Sequence, residues 1–132
     1  MKTRRRFSWL WIIAAITLWM CPVDSAFAAE GKSPAALVKL IVDYGDGVQK
    51  HFTAIAWTDG MTVLDAMEVA SRHRRGITWD RRGRGATAFL TRIDDVQNEG
   101  NGRNWIFQVN GKLADCGLGV HPLASGDTIL WT

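Results

Sequence analysis

The first 28 residues constrain this chain most, because they read as a leader that takes no part in the folded domain. Lys2, Arg4, Arg5 and Arg6 precede an apolar run from Phe7 to Cys21, and Ala26-Phe27-Ala28 supplies the small residues of a cleavage site. Cleavage is expected after Ala28. An uncleaved membrane anchor is the alternative, but a span needs about 20 apolar residues, and this run is shorter and closed by Pro22 and Asp24. Thr3-Arg4-Arg5-Arg6-Phe7 also resembles a twin-arginine signal, with general secretion as the default route. The chain is therefore expected to be exported, periplasmic or secreted, touching a membrane only through a retained leader.

Removing the leader leaves 104 of the 132 residues, enough for one small core and not for two. The leader holds four of the 16 Lys/Arg and one of the 13 Asp/Glu, so the remainder keeps 12 of each and is formally neutral. A global attraction to nucleic acid or anionic surfaces is excluded on that balance, and export argues against nucleic acid independently. Cys116 is the single cysteine beyond the leader, so no internal disulfide is available. A free cysteine of this kind is expected as a small buried apolar residue.

Residues 29–36 read as a short tether, and the domain is expected over 37–132. Val38, Leu40, Val42 and Tyr44 alternate with polar residues as a first strand. Gly45-Asp46-Gly47 turns the chain into a second extended run, Val48 to Trp57, with Phe52, Ala54 and Ala56 expected on one side. Thr62 and Asp65 have the spacing of a capping box, opening a helix from about Val63 to His73 that ends by Gly76. A Gly/Arg-rich loop follows. Phe89, Thr91 and Ile93 mark a third strand, and Trp105, Phe107 and Val109 a fourth, which Asn110-Gly111 turns tightly. Lys112 to Ala124 is broken by Gly117, Gly119 and Pro122, and Thr128 to Trp131 is a last strand. Because strands and helix do not alternate strictly, the class is α+β: a mixed sheet of about five strands with one helix packed across it, the β-grasp arrangement.

Four segments together carry a family resemblance: Tyr44 to Gly47, Gly60 to Met67, Asn104 to Gly111 and Gly126 to Trp131. They resemble the transcobalamin C-terminal-like domain, a bacterial family similar to the small domain of the cobalamin carriers transcobalamin and intrinsic factor. The resemblance implies a β-grasp fold, export and ligand binding. A cobalamin-type ligand is implied by resemblance only; no cofactor is otherwise expected.

The candidate ligand-binding residues are Tyr44, Trp105, Asn110, Gly111 and Trp131. The tryptophans offer flat apolar faces if their edges are exposed, and otherwise pack on the helix. Asn110 and Gly111 are turn residues whose amides could meet a polar ligand edge. Arg81, Arg82 and Arg84, in the loop around Trp79, are candidates for anion or partner contact because guanidinium groups clamp carboxylate or phosphate bidentately. The partner is expected to be a small molecule or a cell-envelope protein. No metal site is expected, since His51, His73 and His121 lack ligand spacing, and the acidic positions Asp94, Asp95 and Glu99 do not match a calcium loop. Cys116 and His121 lack an evident orienting group, so no catalytic residue is assigned. The expected protein is a non-catalytic binding module; the alternative is an envelope interaction domain without a small ligand.

Overall fold

β1 (Leu37–Asp43) and β2 (Gln49–Ala56) form the antiparallel hairpin that the glycine turn requires. The Asp43 and Asp46 carboxylates accept hydrogen bonds from the Gly45 and Val48 amides at 2.8 and 2.9 Å, so the turn satisfies its own backbone. Val38, Leu40 and Val42 point into the core from β1. On β2 the expected alternation fails. Val38 pairs with Ile55 but Leu40 pairs with Phe52, a slip of one residue. Such a bulge reverses side-chain parity beyond it, so Phe52 and Ile55 are buried while Ala54 and Ala56 are exposed.

The structure, a computed structural model, describes residues 35–132; the leader, its cleavage site and most of the tether lie outside the described residues. Among the described residues no helix is long and apolar enough to cross a membrane. The helix α1 (Val63–Ser71) begins with the expected capping box: Thr62 Oγ1 accepts from the Asp65 amide and Asp65 Oδ2 accepts from the Thr62 amide. Val63, Ala66, Met67 and Ala70 form its buried stripe against β1 and β2. Its first two amides are satisfied from outside the helix, Val63 N–H by the His121 carbonyl at 3.1 Å and Leu64 N–H by that of Leu118 at 2.9 Å. The irregular segment after residue 113 is thereby pinned to the helix start.

The Gly/Arg segment is not a loop. β3 (Trp79–Arg82) pairs antiparallel with β4 (Phe89–Ile93), which pairs with β5 (Val96–Gln97), making a separate three-stranded sheet. The third strand read from the sequence belongs here and not to the main sheet. A slip between Asp80 and Arg81 shifts parity again, burying Leu90 and Ile93 and leaving Phe89 52% exposed.

The main sheet is completed by β6 (Phe107–Val109), β7 (Lys112–Leu113) and β8 (Thr128–Trp131) in the order β2-β1-β8-β6-β7. β8 runs parallel to β1 and antiparallel to β6. Five strands in this mixed order, with one helix across them, make the expected β-grasp fold. The Asn110-Gly111 turn has φ of 52° and 78°, the left-handed pair that a two-residue hairpin needs. Both sheets share one core, in which Trp131, Leu40, Met67 and Leu118 are among the most completely buried side chains.

Gly117 packs where no side chain fits. A Cβ there would press on the Ala86 carbonyl oxygen and come within 2.9 Å of that of Ala88. Because both obstacles are backbone, relief requires moving the short 3-10 turn at Gly85–Thr87. Gly117→Ala is expected to lower stability by about 1–3 kcal/mol, seen as a lower urea midpoint with an unchanged slope.

Candidate functional site

Asp94 joins parts of the domain that no ladder connects. Asp94 and Asp95 form the two-residue turn between β4 and β5, and Asp94 takes φ of 50°, which aspartate tolerates. Its Oδ2 accepts from the Tyr44 hydroxyl at 2.5 Å and from Lys50 Nζ at 2.8 Å; its Oδ1 accepts from the Thr78 amide at 2.9 Å. Tyr44 follows β1 and Lys50 lies on β2, so one carboxylate ties the second sheet to the first. Desolvation is the strongest single influence on this carboxyl and raises its pKa. The hydrogen bonds from Lys50, Tyr44 and Thr78 together outweigh it and hold the pKa below the ordinary carboxylate value. Tyr44 responds oppositely: burial first, then the Asp94 hydrogen bond and charge, push its pKa well above the usual tyrosine range.

Trp105 is positioned from this turn. Its indole N–H donates to the Val96 carbonyl at 2.9 Å, its amide donates to Asn98 Oδ1 at 2.8 Å, and Asn98 Nδ2 in turn donates to the Leu90 carbonyl. The Tyr44 ring meets it edge to face, with centroids 5.9 Å apart. With its N–H engaged, the half-buried indole offers outward only an apolar surface.

Trp105 lines three clefts. An apolar one of about 250 Å³ runs between Trp105, Leu90, Phe107, Cys116 and Leu118, with Trp131 in its floor. A polar one of about 620 Å³ is bounded by Asp80, Arg82, Arg92, Asn98 and Trp105. The third, of about 450 Å³, lies between Tyr44, Trp105, Glu99, Arg103 and Thr132.

Of the candidate residues, the structure brings Tyr44 and Trp105 together on the third cleft and places Arg82 on the polar one. Trp131 is 1% exposed and packs on Phe107 at 4.9 Å, with its indole N–H lacking any partner among the described residues; it is a core residue that can touch a ligand only through the floor of the apolar cleft. Asn110 and Gly111 line none of the three clefts. The Asn110 side chain donates to Asp127 and accepts from the Thr128 amide, bracing the start of β8. Arg81 and Arg82 are neighbours on a strand and so project to opposite faces. Arg81 also folds back onto the Gly83 carbonyl at 2.7 Å. The three arginines therefore do not converge as one clamp. In the acidic segment, Asp94 is fully engaged and Glu99 pairs with Arg103.

A family model for a domain of unknown function, DUF4430, matches residues 60–132, more than half of the chain. The chain belongs to this family. The match begins just before α1, so the β1–β2 hairpin lies outside it. No curated protein matches significantly. Among solved structures, a Ruminococcus gnavus protein described as a candidate metal-binding protein is similar at 18% identity and a TM-score of 0.57, covering 72% of this chain and 92% of that one. At that identity the likeness is one of fold.

The DUF4430 domain also gives the Cys116–His121 pair a third group, Asp115, that the sequence alone did not supply. Cys116 is exposed, not buried as expected, and its Sγ lies 3.4 Å from His121 Nδ1. Asp115 stands beside them. Desolvation first, then the hydrogen bond and charge of Asp115, raise the thiol pKa, the reverse of what a nucleophilic cysteine needs. The spacing Asp-Cys-x4-His, folded over Gly117 and Gly119, was the available signal.

Asp94→Asn should cost about 1–3 kcal/mol, because Lys50 and Tyr44 lose a charged acceptor. The folded pKa of Asp94 is depressed, so its contribution is complete above the unfolded carboxylate value of about 3.9 and disappears as the pH falls through the lower folded value. Urea midpoints measured from pH 7 to pH 2 should accordingly fall more steeply in the parent chain than in Asp94→Asn.

Proposed function

We propose that this DUF4430 domain is an exported, non-catalytic binding module that seats a small ligand against Trp105. The observation that carries this reading is that one residue, Trp105, its indole N–H already engaged, lines all three clefts. A site of this kind suits a flat, largely apolar ligand with a polar rim: the ring face packs on Trp105 and the Tyr44 edge, while Arg82, Arg92, Asn98 and Arg103 meet the rim. A corrinoid or related tetrapyrrole has that chemistry, and the likeness to the transcobalamin C-terminal-like domain supports it. That the R. gnavus neighbour is described in terms of binding accords with a binding role. The expected route is export by the leader, followed by retention in the periplasm or release.

A second reading, docking of a cell-envelope protein, is favoured by one feature. Phe89, Ile106 and Leu113 are exposed around the apolar cleft, and Leu113 lies on β7, the edge of the main sheet.

Equilibrium dialysis against cobalamin, with tryptophan quenching as a second readout corrected for ligand absorbance, tests the first reading. Saturable binding is expected, weakened about tenfold or more in Trp105→Ala with its circular dichroism unchanged. Absence of retained cobalamin, and of every corrinoid and tetrapyrrole in a panel, would contradict it.

A further inference from the structure

The segment from Ala114 to Ala124 has no regular structure, yet its backbone is closely held. Ala114 N–H donates to the Phe107 carbonyl, His121 N–H to that of Gly117, and Leu123 N–H to that of Met61. The Leu118 and His121 carbonyls accept the first amides of α1, and Gly117 and Gly119 lie hard against the 3-10 turn. The positions of residues 116 and 121 are therefore fixed by the fold and not by contact between their own side chains. That fixed backbone sets a thiol, an imidazole nitrogen and a carboxylate side by side: the ligand atoms of Cys116, His121 and Asp115 all lie within 4.8 Å of one another. The Phe107 ring meets the His121 ring edge to face at 5.5 Å, which orients the imidazole toward the thiol.

We infer that Asp115, Cys116 and His121 form a binding site for one divalent transition-metal ion of the zinc class. Ligand bonds of about 2.0–2.3 Å around a tetrahedral ion set the donor atoms roughly 3.3–3.8 Å apart. The Sγ to Nδ1 separation is 3.4 Å, already inside that window. Asp115 is exposed, so its carboxylate can close the remaining distance by a side-chain rotation at little cost. The donor set selects the ion. One sulfur with one imidazole favours zinc, cobalt or copper over magnesium and calcium, which take oxygen ligands. On binding, the Cys116 thiol gives its proton to solvent and the sulfur coordinates as thiolate. Three protein ligands leave a fourth position for water or for another donor, the arrangement of an open site. Cys116 also lines the apolar cleft, so the ion would sit at the rim of that cleft. The site does not depend on what, if anything, packs against Trp105.

The test uses the chain with Cys21→Ser, so that Cys116 is its single thiol. After stripping with a chelator, the protein is titrated with cobalt(II) and then with zinc(II) against a chromogenic chelator. One equivalent of cobalt should bind with a thiolate-to-cobalt charge-transfer band in the near ultraviolet, and zinc should displace it. Cys116→Ser should abolish the band, and His121→Ala should weaken zinc binding by about 100-fold. Asp115→Asn should weaken it less, and His51→Ala not at all. In the parent chain, zinc should protect Cys116 from iodoacetamide, read by peptide mass spectrometry. Cobalt uptake without the band, unprotected Cys116, or zinc affinity that survives the loss of both Cys116 and His121 in a folded protein would overturn the assignment.

Discussion

The Asp94 carboxylate is the interaction on which the arrangement of this domain turns. The two sheets are not joined by a ladder, and a shared apolar core holds them together without fixing their orientation, since apolar burial is non-directional. Asp94 supplies the direction. Lying at the tip of the β4–β5 hairpin, it accepts from Tyr44 at the end of β1, from Lys50 on β2 and from Thr78 before β3. Charged acceptors shared by several donors are stronger than neutral ones, and this one is largely out of solvent. The consequence reaches the site through two hydrogen bonds: Val96 and Asn98, just beyond the hairpin tip, hold the indole and amide of Trp105.

Much of the main sheet is legible in the sequence because its signals are local. The Thr62–Asp65 box, the Asn110-Gly111 turn and the alternation through Val38, Leu40 and Val42 each follow from a few adjacent residues, and each has the expected structure. The two bulges are not legible. A single inserted residue changes which of Ala54 or Ile55, and which of Phe89 or Leu90, turns inward, and its placement depends on the partner strand. β3 is hidden for another reason. Arg81 and Arg82 beside glycine read as a solvated loop, and only the ladder to β4 and the Asp80–Arg92 ion pair at 2.7 Å make the segment a strand.

The candidate site divides in the same way. Tyr44 and Trp105 were recognisable as aromatic residues near strand ends, but their meeting on one cleft depends on the Asp94 turn. Trp131, alternating with Ile129 on the last strand, reads more readily as core than as surface, and its near-complete burial bears that out. Cys116 and His121 meet because Gly117 and Gly119 let the chain fold tightly against the 3-10 turn while two of its carbonyls cap α1. The Asp-Cys-x4-His spacing points to the grouping, but the tight packing that brings the side chains together is not encoded in it.

Amide hydrogen exchange in the Asp94→Asn chain, resolved by residue, tests most directly whether Asp94 holds the site in place. The account predicts that protection at Asn98 and Trp105 falls while protection along the β1–β8 ladder is retained, because the turn is released and the main sheet is not. Uniform loss across both sheets, or unchanged protection at Trp105, would contradict it.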